Sequence, residues 1–244
     1  MKVVLLRVGI DSGCGGCQSP LFKDGSFEFI PIPTKDPAEK RTYANTKCVD
    51  PSRRETFLID LLPEHARRNL KSSAMHVDPE FQTFTYGDPT SLKSGLRKLE
   101  SGDLLVFYAG FQGWDFPAPS GLYIIGYFVV EKILRAKDHN RVDLLHDFGN
   151  NYHVRHEDVF RNDTTGKRNL VLIKGSKQSR LLHKAYLISE IGTDKSGKPL
   201  KVLSTKMREV FGAFDGKVSI QRSPPRWIAP EFVERAKCFV VGLE

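Results

Sequence analysis

The pattern of apolar positions is strongest between residues 101 and 136, and the predicted architecture is built around this stretch. Two runs rich in β-branched and aromatic residues, Leu104 to Phe111 and Leu122 to Leu134, flank a loop of Gly, Pro and Ser. Neither run alternates strictly between apolar and polar residues, which indicates strands that are covered on both faces. We therefore predict two long central strands, with Gly102 and Asp103 forming the turn before the first.

Shorter patterns predict the elements around these strands. Strands are predicted at Val3 to Ile10, Phe27 to Pro33, Leu170 to Ile173 and in the final sequence CFVVGL. Short helices are predicted near 63–70, 89–100, 143–148 and 204–211, the last with Ser204 as its N-cap. The polar stretch from Thr34 to Arg54 is predicted to be a surface excursion. No linker divides the chain, so residues 1–244 are predicted to form one α+β domain.

Composition and charge limit the class of protein. Apolar residues occupy 40% of the 244 positions, and 37 Lys and Arg against 29 Asp and Glu give a net charge of +8. The apolar fraction is sufficient for a packed core, and the positive net charge favours polyanionic partners. No apolar run is long enough to span a bilayer and the first residues lack a secretory signal, so a cytoplasmic location without membrane contact is predicted. The four cysteines agree with a reducing compartment.

A glycine-rich loop follows the first predicted strand, in the sequence IDSGCGGCQ. Glycines at this density permit positive φ angles, so the loop is able to present backbone N–H groups to an anion, with Asp11 beside them. The residues predicted to form this nest are Ser12, Gly13, Gly15 and Gly16. An ordinary tight connection explains the same glycines, and the spacing matches neither a dinucleotide-binding motif nor a P-loop.

The same loop contains a Cys-x-x-Cys sequence at Cys14 and Cys17, which is the spacing of half a zinc site or of a redox pair. The other cysteines, Cys48 and Cys238, are isolated in the sequence and do not form a second pair. We therefore predict unligated thiols at this loop and no structural zinc.

Cations and hydroxyls are combined in the turn KGSKQSR, which follows the strand predicted at 170–173. This composition suits contacts with phosphate oxygens, and a basic hairpin turn explains it equally well. The predicted phosphate contacts are Lys174, Ser176, Ser179, Arg180 and, near the end of the chain, Arg226. Beside the last of these, Trp227 is suited either to stacking on a base or to closing the core.

Two short motifs combine imidazole and carboxylate groups. His76-Val-Asp78 matches the His-x-Asp part of the facial triad of iron and 2-oxoglutarate oxygenases, but His156-Glu-Asp158 matches it too, and such matches arise by chance. The many strands of a double-stranded β-helix are not predicted, so no metal ligands are assigned. The second motif and the nearby His153 are predicted to lie on a solvated surface turn, with metal binding or proton transfer as the alternative.

Six segments spread over nearly the whole chain carry a family resemblance. They are RVGIDSGCGG, PLFKDGSFEFIPIP, HVDPEFQTFTYGDP, GDLLVFYAGF, LVLIKGSKQSRLL and PPRWI. Together they resemble the third of the nucleotide-modification-associated domain families, which implies a role connected with base modification in nucleic acid. The pair GDLLVFYAGF and GLYIIGYFVVEKI also resembles the core strands of PUA-like modules of the EVE and ASCH type. That likeness implies a mixed β-sheet curled into a small barrel, with short helices and long loops packed around it.

These observations favour a protein that recognises or helps modify a nucleobase in nucleic acid, with DNA favoured over RNA. Candidate stacking residues are Tyr86, Tyr108, Phe111, Trp114 and Trp227. Candidate proton-handling groups, should the chain be a base-modifying enzyme, are Asp11, His76, Asp78 and Asp88. The alternatives are an enzyme that acts on free nucleotides or another small anionic metabolite, and an iron/2-oxoglutarate oxygenase. Nothing in the sequence identifies a cofactor or an oligomeric state.

Overall fold

The computed structural model describes residues 1–156, 168–214, 216, 218–221 and 224–243. The strands in these residues are β1 (Val3–Val8), β2 (Ser19–Leu21), β3 (Ile32–Thr34), β4 (Ala74–His76), β5 (Thr85–Asp88), β6 (Leu104–Gly113), β7 (Gly121–Arg135), β8 (Val171–Gly175), β9 (Arg180–Leu187), β10 (Ser189–Thr193), β11 (Pro199–Leu203) and β12 (Arg226–Trp227). The two central strands predicted from the apolar runs are confirmed as β6 and β7. Eight consecutive residues of β6, from Leu104 to Phe111, are buried, which explains why the run does not alternate.

The helices are short and lie around the sheet. The α-helices of the described residues are α1 (Glu64–Leu70), α2 (Arg141–Phe148), α3 (Tyr152–Arg155), α4 (Thr205–Phe211) and α5 (Val233–Val241). The 3₁₀-helices span Pro51–Arg53, Leu58–Leu61, Ser91–Lys98, Ala136–Asp138 and Pro230–Phe232. Ser204 caps α4 as predicted, because its hydroxyl accepts a hydrogen bond from the Met207 N–H at 3.4 Å. None of the helices described here is both long enough and apolar enough to cross a bilayer.

The prediction of a strand for CFVVGL is wrong, since this sequence lies in and just after α5. The buried residues of the helix are Val233, Ala236 and Val240, which recur at helical spacing along one face. The β-branched run therefore packs as a helix against the core rather than as a last strand of the sheet.

β6 and β7 form the centre of an eight-stranded mixed sheet. β1 pairs parallel with β6, from Val3 opposite Leu104 to Val8 opposite Ala109, and β12 pairs antiparallel with the other side of β1. The 15-residue strand β7 pairs antiparallel with β6, β8 and β9, and β8 pairs with β5. β2 extends the ladder of β6 in parallel, while β3–β4 and β10–β11 form separate two-stranded sheets.

The sheet is open in the part of the chain that the structure describes. Its strand order is β12-β1-β6-β7-β8-β5, and no pairing between described strands joins β5 to β12. β12 contributes only two residues beside β1, which is too short to continue the ladder around a barrel. The structure therefore shows an α+β fold with a large mixed sheet, and the closed PUA-like barrel that the resemblance implies is not found.

A second, smaller core lies outside the sheet in the first third of the chain. It contains Ile10, Tyr43, Cys48, Leu62 and Met75, among other residues. The side chain of Tyr43 is 0% exposed, and its hydroxyl donates to the Pro31 carbonyl at 2.9 Å. The prediction of a surface excursion over 34–54 is therefore wrong at Tyr43 and Cys48, whose buried side chains anchor a segment that is polar in composition.

All four cysteines are free thiols. Cys17 and Cys48 are buried, and burial raises the pKa of the first to about 11 and that of the second to about 12. These two thiols pack in the second core as small apolar side chains.

Candidate functional site

A cleft of about 630 Å³ opens beside β1, next to the segment that joins β4 to β5 and to the 3₁₀-helix Ser91–Lys98. All four predicted proton-handling residues line it, namely Asp11, His76, Asp78 and Asp88. Further lining residues are the polar Arg7, Lys93 and Gln221 and the apolar Ile32, Leu92 and Pro224. The structure therefore brings together the acids and the imidazole that the sequence suggested, in a cavity of the size usual for small ligands.

Asp88, at the end of β5, lies in a network of charged and hydroxyl groups. Lys93 Nζ is 2.8 Å from Asp88 Oδ2, and the Tyr86 hydroxyl donates to the same oxygen at 3.1 Å. The hydroxyl and the backbone N–H of Thr90 both donate to Oδ1. Burial alone would raise the pKa of Asp88, but the Lys93 ammonium and the Thr90 hydrogen bonds outweigh burial and lower it. The cleft wall thus carries an ionised carboxylate paired with an ammonium group.

His76, Asp78 and His153 form a triangle of possible ligand atoms at the same cleft. Nε2 of His76 lies 3.2 Å from Nε2 of His153. Oδ2 of Asp78 lies 3.9 Å from the first nitrogen and 3.6 Å from the second. The Gly87 N–H donates to this oxygen at 2.9 Å. Two imidazoles and a carboxylate therefore meet, although His153 comes from α3 and the other two from the end of β4 and the residues after it.

Burial holds both imidazoles of this triangle in the neutral form. Desolvation lowers the pKa of His76 to about 3, with a further lowering from His153, and desolvation lowers the pKa of His153 to about 4. Desolvation also raises the pKa of Asp78 well above its usual value. A neutral imidazole has a free lone pair that is able to bind a cation, whereas a pKa this low makes each imidazole a weak base near neutral pH.

Tyr152 fixes the orientation of the His76 ring. The centroid of its ring lies 3.9 Å from the His76 centroid on one side and 4.3 Å from the His156 centroid on the other. The Tyr152 hydroxyl also pairs with the Thr34 hydroxyl at 2.8 Å. Tyr152, the first residue of α3, is therefore in ring contact both with His76 at the cleft and with the buried His156.

The prediction of a solvated surface turn is wrong for His153 and His156, which are each 5% exposed. The apolar side chains of Leu144, Phe148 and Val154 pack in a third small core, and α3 contacts α2 and β5. The other two residues of the predicted cluster, Glu157 and Asp158, lie outside the described residues.

A second basin of about 410 Å³ adjoins the cleft and shares Arg7, Asp11 and Gln221 with it. Its polar lining residues are Arg7, Asp11, Ser12, Gly13, Gln18, Lys201 and Gln221. Arg7 Nη2 lies 3.1 Å from Asp11 Oδ2. Burial lowers the pKa of Lys201, and the nearby Arg7 lowers it further. Two cations face one carboxylate in this basin, so its charge favours an anionic ligand.

The predicted anion nest is occupied by the loop's own carboxylate. Oδ1 of Asp11 accepts hydrogen bonds from the Gly13 and Cys14 N–H groups, each at 2.8 Å. Gly15 and Gly16 have the positive φ angles expected of such a loop, 104° and 78°. The prediction that the Gly13 N–H contacts an external anion is therefore wrong, because an Asx-type turn satisfies this group internally. Anion contacts at Ser12, Gly15 and Gly16 stay a prediction.

Four of the predicted phosphate contacts lie at the end of β8, in the turn after it and at the start of β9, and none of them lines either cavity. Lys174 Nζ donates to the Thr83 carbonyl at 2.6 Å, and the buried Ser179 hydroxyl accepts from the Val129 N–H at 3.1 Å. These two side chains thus hold strands together. Ser176 is half-buried and Arg180 is exposed, so phosphate contacts at these residues stay a prediction.

Three of the five predicted stacking residues are core residues. Tyr108 and Phe111 are 0% exposed and Tyr86 is 2% exposed. The Tyr108 hydroxyl donates to the Ile220 carbonyl at 3.0 Å, and Phe111 packs edge-on against Phe27. The prediction that Tyr108 and Phe111 stack on a base is wrong, because the residues of β6 from Leu104 to Phe111 are buried on both faces. Tyr86 still lines the cleft, where its hydroxyl contacts the ion pair described above.

The remaining predicted contacts are Trp114, Arg226 and Trp227, and none of them lines the cleft or the basin. Trp114 follows β6 and is 40% exposed, so base stacking by this residue stays a prediction. Trp227 pairs with Val4 in the β1–β12 ladder and packs half-buried against the main core, which agrees with closure of the core. The Arg226 guanidinium lies 5.9 Å from the centroid of the Phe214 ring.

Sequence reasoning did not assign Arg7, Lys93 or Lys201 to the site. Arg7 had a signal, since it is the only charged residue in the apolar run VVLLRVGI and a cation in a buried strand requires a partner. No signal in the sequence distinguished Lys93 or Lys201, because each is one lysine among many. Only the tertiary contacts place them at the cavities.

The family of the chain follows from a comparison with protein-family models. Residues 2–241 match the model described as Nucleotide modification associated domain 3. No curated protein and no solved structure matches the chain. The matched range includes every residue that lines the cleft and the basin. The chain therefore belongs to the Nucleotide modification associated domain 3 family.

Proposed function

We propose that this chain recognises or helps modify a nucleobase in DNA or RNA, with the nucleotide bound across the cleft and the second basin. Family membership links the chain to nucleotide modification. The observation that carries the proposal is the meeting of four predicted proton-handling groups at a cleft of about 630 Å³, beside a basin with two cations.

The cleft offers the contacts that a planar base requires. Leu92 is 68% exposed although it is a large apolar residue, and with Ile32 and Pro224 it forms an apolar surface on the lining. Lys93 and Asp88 supply a donor and an acceptor within reach of the same space. A base that lies on the apolar residues would present its hydrogen-bonding edge to this ion pair.

The basin offers the contacts that a phosphate requires. Arg7 belongs to both cavities and Lys201 to the basin, so a phosphate bound there would lie next to a base in the cleft. A reader domain needs these contacts alone. A base-modifying step also needs a group that moves a proton, and the candidates at the cleft wall are Asp11, His76, Asp78 and Asp88.

The wider proposal treats residues 1–244 as one cytoplasmic domain that favours DNA over RNA. The family match over 2–241 and a main core with members from Val3 to Val240 support one domain. The free thiols support a reducing compartment, and the pairing of β7 with three strands supports a PUA-like curl of the sheet.

The experiment is fluorescence anisotropy with single-stranded DNA, duplex DNA, RNA and mononucleotides, each at low and at physiological salt. We expect polymer binding that weakens with salt, because each neutralised phosphate releases counterions. Lys201→Gln should weaken binding by about tenfold, since it removes a charge-assisted contact. Lys195→Gln is the matched control, because it removes the same charge from an exposed turn of the same hairpin.

Absence of binding at every salt concentration, or equal losses in the two lysine variants, would overturn the proposal. Mononucleotides that bind as tightly as the polymers would instead identify an enzyme or receptor of free nucleotides. Arg180→Gln tests the predicted turn contact separately. A loss of affinity for polymers but not for mononucleotides would indicate that this turn contacts the nucleic-acid backbone.

A further inference from the structure

We propose that His76, Asp78 and His153 bind one divalent transition-metal ion whose open coordination positions face the cleft. Three possible ligand atoms, one from each residue, lie within 4.8 Å of one another. The proposal goes beyond the binding of a nucleotide and does not depend on it.

The spacing of the three atoms is close to that of a coordination sphere. A metal with bonds of about 2.1 Å to nitrogen and oxygen holds adjacent ligand atoms about 3.0 to 3.4 Å apart. The two imidazole nitrogens already lie 3.2 Å apart. The Asp78 oxygen lies 3.6 and 3.9 Å from them, so a shift of its carboxylate by roughly half an ångström completes the set.

Asp78 gives an independent indication that a partner belongs at this place. Its side chain is 3% exposed, and its Oδ1 accepts no hydrogen bond from any described residue. The Asn151 side-chain amide is a neighbour of Asp78, but its nitrogen makes no hydrogen bond of ordinary geometry to this oxygen. A buried carboxylate oxygen without a partner costs free energy, and a cation beside it removes that cost.

The surrounding residues hold the three side chains in place. The Tyr152 ring lies on the His76 ring, and the Gly87 N–H donates to Asp78 Oδ2. A Cβ at Gly87 would lie 3.0 Å from Cδ2 of His153, so glycine permits the close approach of that imidazole. Outer contacts of this kind orient ligands before the ion arrives.

The donor set and the exposure of its members define the class of ion. Two imidazoles and one carboxylate suit iron(II), cobalt(II) and zinc(II), whereas magnesium and calcium prefer oxygen ligands. His76 and Asp78 line the cleft, while His153 is buried behind them. A catalytic metal site has three protein ligands and keeps its remaining coordination positions open toward a cavity. A structural site, in contrast, is closed by four protein ligands.

The test is titration of the full chain with cobalt(II) after treatment with a chelator, in the absence of nucleotide. Visible absorption reports cobalt coordination, and elemental analysis counts bound ions. We expect one ion per chain and a cobalt-dependent rise in Tm, since an ion that binds the folded chain stabilises it. His76→Gln and His153→Gln should each weaken binding by at least about a hundredfold.

The control is His146→Gln, because that imidazole is 90% exposed and lies away from the cleft. It should bind cobalt as the unaltered chain does, and so should Lys201→Gln even if nucleotide binding is lost. If His76→Gln or His153→Gln fails to fold, the cobalt absorption and the cobalt-dependent change in Tm of the unaltered chain test the proposal. An absence of the absorption band and of any Tm change, or a loss of binding in His146→Gln, would overturn the proposal.

Discussion

Nε2 of His156 lies 3.2 Å from Oε2 of Glu39, although 117 positions separate the two residues in the chain. The Glu39 side chain is 0% exposed, and Arg41 Nη2 lies 2.8 Å from the same oxygen. The pair therefore joins the segment before β4 to the end of α3, the helix that supplies His153. The ionised Glu39 carboxylate therefore contributes to the stability of the candidate site.

This pair predicts loss of stability in acid. Burial raises the pKa of Glu39, but hydrogen bonds from Arg41 outweigh it and lower the pKa from 4.5 to about 2. Because the pKa of the folded state is the lower one, the stabilisation is complete above pH 4.5 and is lost as pH falls toward 2. We expect the free energy of unfolding to fall by about 3 kcal/mol across this window.

Urea unfolding at a series of pH values measures this effect. Glu39→Gln should be destabilised at pH 7 and should lose the part of the acid dependence between pH 4.5 and 2 that comes from Glu39. Glu55→Gln is the control, since that carboxylate is 80% exposed in its pair with Lys47. Parallel pH profiles for the two variants would contradict the assignment.

Gly87→Ala should disturb the imidazole of His153. The added Cβ would lie 3.0 Å from His153 Cδ2 and from Leu172 Cδ2, so these side chains must move. We expect a loss of about 1 to 3 kcal/mol in the free energy of unfolding, together with weaker cobalt(II) binding. Gly110→Ala is the control in another strand, because the atom nearest to its Cβ would be Gln18 Cδ at the ordinary distance of 3.5 Å. Equal losses in the two variants would show that the effect is not local to the cleft.

The thiols should react with iodoacetamide in an order set by exposure. Cys238 is exposed and should be modified first, followed by the half-buried Cys14, whose pKa burial raises. Cys17 and Cys48 should react only after unfolding, because burial raises their pKa to about 11 and about 12. Peptide mass spectrometry at timed intervals measures the order, and Cys238→Ser should remove the fast phase alone. Rapid labelling of Cys48 in the folded chain would contradict its burial.

Tyr108→Phe should lower stability without changing nucleotide binding. The Tyr108 hydroxyl donates to the Ile220 carbonyl at 3.0 Å in the core, so its removal leaves a buried acceptor unpaired. We expect a loss of about 1 to 2 kcal/mol, measured by denaturant unfolding. Anisotropy with the same nucleic acids should be unaltered, whereas a loss of affinity in a variant that stays folded would restore Tyr108 as a base contact.

The elements predicted best from the sequence are those whose pattern is local. β6 and β7 follow from long β-branched and aromatic runs, and α4 follows from Ser204 and the helical spacing behind it. The strand predicted for CFVVGL failed because β-branched residues suit both a strand and a helix with a buried face, and packing decided for the helix.

The candidate site could be predicted only in part, because its geometry depends on contacts between distant segments. Asp11, His76, Asp78 and Asp88 were found by their chemistry, but the position of His153 depends on the packing of α3 against β5. Neighbours in sequence gave no indication that this imidazole is buried. The aromatic residues of β6 misled for a related reason, since a run that is covered on both faces looks the same as one that offers rings to a ligand.

The parallel pairing of β1 with β6 has a consequence for synthesis on the ribosome. In the completed fold β1 lies between β6 and β12, so Val3 meets Leu104 on one side and Val4 meets Trp227 on the other. The apolar run VVLLRV therefore has no native partner strand until β6 has left the exit tunnel, which takes several seconds at about 5 to 20 residues per second. During that interval an unpaired apolar strand is open to aggregation, and a chaperone that holds extended apolar segments would protect the nascent chain there.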